Sequence, residues 1–181
     1  MNTTAQQYDT IIRNCFEVFV LKTKDYGTAW RLFRISSLTD QLYIKAQRIR
    51  TIELGTIQKI EDSIISEYQA IINYGIIALI QLELNEQVDI NLSEDDAKKL
   101  YSDKAQQIKE LMLLKNHDYG EAWRSMRVTS FTDMILTKLH RIKQIEDNQG
   151  KTLISEGYEG HFMDVVNYSV FALITLSKDA V

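Results

Sequence analysis

Cations suited to holding an anion recur in this chain as spaced pairs. Arg31 and Arg34 stand at i, i+3, and so do Lys45 and Arg48. The spacing returns at Arg124 and Arg127 and at Lys138 and Arg141. Residues three apart share a helix face, and arginine offers a planar donor fork that fits phosphate or carboxylate. Such a cluster makes an anion pocket without making the whole surface basic. The competing use is structural: the same cations can pair with Asp25, Asp40 and Glu53 to hold helices together, or stack on a neighbouring tryptophan.

The acids and amides offer a second chemistry. Glu156, Gly160, Asp164 and Asn167 fall on one helical face, where the first half of the chain carries Asp62, Ser66, Ala70 and Asn73. Carboxylates one or two turns apart can hold Mg²⁺, a hard cation that takes oxygen ligands and keeps several waters. Glu156 and Asp164 are therefore the metal candidates, in the second half only, because Ala70 removes the partner acid from the first. His161 reads as a surface or hydrogen-bonding residue rather than a ligand. Asn73 and Asn167 each open a strongly apolar run, Asn73–Ile80 and Asn167–Ile174. A buried amide left without partners costs about 1–3 kcal/mol, so each either bonds across to a neighbouring helix or reads the edge of a ligand. Tyr74 and Tyr168 read as core aromatics with a hydroxyl handle. Trp30 and Trp123 either stack on a base or plug the core.

These residues belong to a repeated unit. Asp25, Tyr26, Gly27, Ala29, Trp30, Arg31, Arg34, Ser37, Thr39, Asp40, Lys45, Arg48, Ile49, Ile52 and Glu53 recur 93 residues later, from Asp118 to Glu146, which is 15 identities in 29 positions. Charged and small residues match as well as apolar ones, so the chain is a tandem duplication rather than two helices of similar amphipathicity. A one-residue insertion then places Asn73 opposite Asn167, at an offset of 94.

The elements that must position the unit are helices. Tyr8, Ile11, Ile12, Cys15, Phe16 and Phe19 make an apolar stripe at helical spacing over residues 4–22. Gly27 supplies a turn, residues 28–34 a short helical segment, and Ser37-Leu38-Thr39-Asp40 a helix cap with an acidic first turn, repeated at Ser130–Asp133. Asp25 and Asp118 sit at the glycine turn, to cap the next segment or to face a cleft. A helix to about Leu54 and a long one from about Gln58 to Leu84 complete the first repeat. Residues 85–93 form a polar linker, Ser93 with Glu94, Asp95 and Asp96 is a strong helix start, and the cycle repeats over 94–181. The expected architecture is all-α: a helical bundle of two tandem, pseudo-symmetric repeats, 1–84 and 94–181, packed as one globular unit.

Composition sets the bounds. The chain has 181 residues, no proline and seven glycines, with 45% hydrophobic and 25% charged residues. A net charge of −4 argues against bulk nucleic-acid binding, where a basic surface is expected. Cys15 is the single cysteine, which excludes an internal disulfide, and its apolar neighbours make it a packed core thiol. No run approaches the roughly 18 apolar residues needed to span a bilayer, and the N-terminus lacks the pattern of a signal peptide, so the expectation is a cytoplasmic protein without a membrane partner. Homo-oligomerisation is left open.

The Asp-Tyr-Gly turn, the Lys-x-x-Arg helix and the Asn-Tyr helix together resemble the nucleotide modification associated domain 1 family, a small all-α domain of bacteria and phages. The matching positions are Lys22–Gly27, Lys45–Arg48 and Asp62–Tyr74, and again Lys115–Gly120, Lys138–Arg141 and Glu156–Tyr168. The resemblance implies a link to nucleotide metabolism. More distantly, the domain is similar to all-α nucleotide pyrophosphohydrolases of the MazG type, which hold Mg²⁺ on helix-borne acids beside a triphosphate. Ser66, Ala70 and Gly160 stand where further acids occur in the single-copy pattern, so the two repeats are not equivalent. The resulting expectation is a protein that binds a nucleotide or other small phosphorylated ligand. Arg31, Arg34, Lys45, Arg48, Asn73, Arg124, Arg127, Lys138, Arg141 and Asn167 would contact that ligand. Catalysis, if present, would be Mg²⁺-dependent phosphoanhydride hydrolysis; the alternative is a noncatalytic helical scaffold.

Overall fold

A computed structural model describes residues 3–55, 63–84, 89–154 and 157–179. Among them lie six α-helices, two short 3-10 turns and no strand. Helix α1 spans Thr4–Tyr26, α2 Ile35–Glu53, α3 Ile64–Leu84, α4 Glu94–Tyr119, α5 Val128–Asp147 and α6 Tyr158–Asp179. The 3-10 turns, Ala29–Leu32 and Ala122–Ser125, follow the two glycines of the repeated motif. No helix of the described residues is long and apolar enough to cross a membrane.

The helix ends follow from local chemistry. Thr3 caps α1 by accepting the Gln6 N–H, and the Gln6 side chain accepts from the Thr3 N–H at 2.8 Å, a reciprocal capping box. Ser93 caps α4 by accepting the Asp96 N–H at 3.0 Å, ahead of Glu94, Asp95 and Asp96, whose charges oppose the helix dipole. Helices α1 and α4 stop at Gly27 and Gly120, which take φ of 62° and 58°, where any side chain would be strained. The first helix thus runs to Tyr26 and includes Asp25, rather than ending at residue 22.

The expected caps at Ser37 and Ser130 are corrected. Helices α2 and α5 begin earlier, with Arg34 and Arg127 at the N-cap positions and no side-chain cap bond at either. Extended Phe33 and Met126 lead straight out of the 3-10 turns, and Leu38 N–H donates to Arg34 O at 3.1 Å, closing the first turn before Thr39 is reached. Ser37 and Thr39 therefore lie inside the helix, and Thr39 is free to act between helices.

Helices α2, α3, α6 and α5 pack in a ring, each against the next, and α1 and α4 lie against the α3–α6 side. One continuous core draws on both repeats, with Leu42, Ile49, Ile72, Ile76, Ile135, Ile142, Val166 and Val170 among its buried members. Helices α3 and α6 approach closely at Gly75, where an added Cβ would meet a Val166 methyl at 2.6 Å. The apolar runs that begin at Asn73 and Asn167 are buried because they form this central pair.

The two repeats are joined by reciprocal contacts. Thr39 donates to Glu146 and Thr132 donates to Glu53, each at 2.7 Å, between α2 and α5. Asp40 pairs with Lys143, and Asp133 with Arg50 at 4.0 Å. Tyr8 donates to Asn167 Oδ1 at 2.8 Å and Tyr101 to Asn73 Oδ1 at 2.7 Å. Every one of these pairs has its counterpart on the other side of the pseudo-two-fold axis. Cys15 is buried, and burial pushes its thiol up to about 12, so it behaves as a packed core thiol.

Burial also raises the Glu53 and Glu146 carboxyls above their usual range, against the lowering effect of the threonine hydrogen bonds. A carboxyl whose pKa is raised on folding contributes most below its unfolded value, and that contribution is lost as pH rises through the folded value. Urea melts from pH 4 to 8 are expected to show Glu53→Gln/Glu146→Gln gaining on the native chain as pH rises, with the two converging at pH 4. A gap that stays constant with pH would contradict an upward shift of these carboxyls on folding.

Candidate functional site

Each repeat builds one cavity from the same parts: the end of its first helix, the 3-10 turn, and the start of its last helix. The C-terminal turn of α1 or α4 supplies Lys22 and Tyr26, or Lys115 and Tyr119. The 3-10 turn supplies Trp30 or Trp123, and the last helix supplies Asn73 and Tyr74, or Asn167 and Tyr168. The glycine turns bring these segments together, since a continuous helix would carry the tryptophans away from α3 and α6.

The second cavity is the larger, about 700 Å³ against about 370 Å³. Lys115, Lys138 and Arg141 all line it, together with Asp164 and His161. Asp164 is buried on α6, and each of its oxygens takes one ammonium at 2.6 Å: Oδ1 from Lys115 and Oδ2 from Lys138. The carboxylate thus draws lysines from α4 and α5 to one point. Among the described residues, three cations face one acid, which is a positive surplus. Its other wall is apolar, with Met112, Met126, Met134, Tyr168 and Phe171.

The first cavity differs in charge. Ala70 replaces Asp164, and Glu67 stands on α3 where His161 stands on α6. Glu67 is buried and takes Lys45 at 3.3 Å and Arg48 at 3.5 Å. Those two cations, the counterparts of Lys138 and Arg141, do not line the first cavity. Lys22 is the one cation among the described residues of its wall.

The sequence candidates do not all converge, and Lys45 and Arg48 stay with Glu67 outside both cavity walls. Lys138, Arg141, Asn167 and Asp164 meet in the second cavity, and Asn73 lines the first. Arg31 and Arg124 lie outside both walls and tie elements together. Buried Arg31 donates to Gln81 Oε1, whose amide nitrogen donates to Arg31 O at 3.1 Å and Phe33 O at 2.7 Å. Arg124 donates to Gln7 at 2.9 Å, pairs with Glu121, and lies 4.4 Å from the Trp123 ring centroid. Glu121 is held down at about 2 by hydrogen bonds from Thr4 and Arg124. Arg34 and Arg127 are exposed at the helix N-caps and line neither cavity. Glu156 lies outside the described residues.

Both asparagines are structurally engaged. Asn73 donates to Cys15 O at 3.1 Å and Asn167 to Ile108 O at 3.4 Å, while each amide oxygen accepts the tyrosine of the other repeat. Trp123 is buried, stacks on Phe171 at 4.3 Å with an interplanar angle of 7°, and donates to Asn116 at 3.1 Å. Lys22 and Lys115, which line the cavities, are not among the ligand contacts expected from the sequence. Their recurrence at an offset of 93 was the available signal. The Glu67–His161 exchange was missed because neither residue belongs to the identical set.

A family model described as nucleotide modification associated domain 1 matches the chain twice, over residues 22–82 and 115–176, together about two thirds of its length. The chain belongs to the nucleotide modification associated domain 1 family. No curated protein and no solved structure matched it. Each copy of nucleotide modification associated domain 1 begins at its cavity lysine, Lys22 or Lys115, and extends through its last helix beyond Asn73 or Asn167. The match therefore spans the glycine turn, the Lys-x-x-Arg helix and the asparagine.

Breaking a buried ion pair from the acid side leaves its cations uncompensated. Asp164→Asn is expected to lower stability by about 1–3 kcal/mol, the range for losing charge-assisted hydrogen bonds at a partly exposed site. Asp133→Asn, whose partner Arg50 is exposed and 4.0 Å away, is expected to change it by under about 1 kcal/mol. Equal losses in denaturant melts would contradict the assigned role of Asp164.

Proposed function

We propose that the chain binds a nucleotide, or a similar phosphorylated aromatic compound, in the cavity of the second repeat. The carrying observation is that Lys115, Lys138 and Arg141 border the same cavity as the Met126, Met134 and Tyr168 wall. Phosphate is drawn to the cationic side, where charge-assisted hydrogen bonds are strongest. The base packs on the apolar side, and the exposed ring of Tyr119 at the rim is available for stacking. Asp164 positions the two lysines before the ligand arrives, which reduces the ordering cost of binding. The cavity volume is within the usual range for small-ligand sites.

Mg²⁺ fits the donor set poorly. Both oxygens of Asp164 already hold ammonium groups at 2.6 Å. No group of three His, Cys, Asp or Glu side chains converges to hold a metal among the described residues. A metal on Asp164 would have to displace two lysines that the same reading assigns to phosphate. The reading is therefore nucleotide binding through cations, with no step routed through a metal.

Arg141 provides the cleanest test, because it is exposed and lines the cavity without contributing to the core. Calorimetry with nucleoside mono- and triphosphates is expected to show binding that persists in excess chelator and weakens as salt rises. Arg141→Met is expected to weaken it by about tenfold, the cost of one charge-assisted hydrogen bond, with an unchanged melting temperature. Absence of binding by every nucleotide, or full affinity in Arg141→Met, would overturn the reading.

A further inference from the structure

The first cavity descends from the same unit but has lost the chemistry of an anion site. Lys45 and Arg48 are held by Glu67, Ala70 stands where Asp164 would be, and among the described residues Lys22 is the cation left in its wall. What lines it instead is aromatic and uncharged: Phe19, Trp30, Phe33 and Tyr74. Beside them, Ser66, Gln69 and Asn73 stand at i, i+3 and i+7 along α3.

These three polar groups are not equivalent. Asn73 has both amide atoms engaged, with Cys15 O and Tyr101. Ser66 donates to Ser63 O at 2.8 Å. Gln69 is half-buried in the cavity wall and makes no hydrogen bond to any described residue. Met163 occupies its place in the second repeat and does not line that cavity, so the amide belongs to the first cavity alone. A carboxamide carries a donor and an acceptor side by side, the arrangement that reads the complementary edge of a heterocyclic base. Placed in an aromatic wall, it gains most from a flat ligand that offers such an edge.

We propose that the first cavity binds an uncharged heteroaromatic ligand of nucleobase or nucleoside size, with Gln69 hydrogen-bonded to its edge. Aromatic side chains provide the surface for the ring, as they do where proteins stack on bases. A phosphate is disfavoured there, since Lys22 is the one cation among the described residues of the wall and Glu67 engages Lys45 and Arg48 away from it. A volume of about 370 Å³ lies at the small end of ligand sites, matching a nucleoside better than a nucleotide. The chain then carries two sites of different selectivity built from one ancestral unit.

Each tryptophan lines one cavity, so Trp123→Phe leaves Trp30 as a reporter of the first. Titration of that variant with adenosine, guanosine, cytidine, uridine and thymidine is expected to give saturable quenching with at least one of them. Gln69→Met is expected to weaken that binding by roughly tenfold or more, the usual discrimination of an amide–base pair. Arg141→Met and excess inorganic phosphate are expected to leave it unchanged, which separates this proposal from the nucleotide site. If Trp123→Phe does not fold, calorimetry on the native chain and on Gln69→Met asks the same question. No saturable signal with any of the five nucleosides, or unchanged affinity in Gln69→Met, would overturn the proposal.

Discussion

An amide inside an apolar helix must find partners, and the way Asn73 and Asn167 find theirs organises the molecule. Each donates to a backbone carbonyl of its own repeat and accepts the tyrosine hydroxyl of the other, Tyr101 or Tyr8. Those tyrosines are buried, with their hydroxyls pushed above the ordinary range by desolvation, so the bonds have no water to replace them. Helices α1 and α4 are thereby fixed against α6 and α3. The walls of both cavities depend on that placement, because the lysines, the glycine turns and the tryptophans all follow from the ends of α1 and α4.

The same constraint explains why duplication could be followed by divergence. The crossed contacts between Thr39 and Glu146, Thr132 and Glu53, and the two tyrosine–asparagine pairs are kept in both copies. They hold the frame whichever residues line the cavities. On the last helix the acid position differs between the two copies. Asp164 reaches Lys115 and Lys138 in the second repeat. Glu67, nearly one turn earlier in the first, reaches Lys45 and Arg48 and holds them away from the cavity wall. The two cavities thus differ in where the carboxylate sits on equivalent helices, and also in Gln69 of the first and His161 of the second.

Much of this frame was legible in the sequence. Helical periodicity, the glycine turns, the strong start at Ser93 and the constant offset are local signals, and each fixed an element or its symmetry. The contacts between repeats were not legible, because they join residues 28 to 159 apart. Ser37 and Ser130 looked like caps since they precede an acid, yet extended Phe33 and Met126 carry the helix start back to Ile35 and Val128. Arg31 and Arg124 looked like ligand contacts for their spacing, while the structure ties them to Gln81 and to Glu121, Thr4 and Gln7. Spacing gives a helix face but not the neighbour that face meets. The absence of Asp164's counterpart was visible at Ala70, and the inequality of the repeats followed from it; the role of Glu67 required the fold.

Calorimetric stoichiometry of a nucleoside triphosphate on the native chain tests that inequality most directly, because the phosphates demand the cationic wall. One nucleotide per chain is predicted, bound at a site sensitive to salt. Two sites of equal affinity per chain would contradict the account, since the first repeat would then hold phosphate although Glu67 engages Lys45 and Arg48 away from its cavity wall.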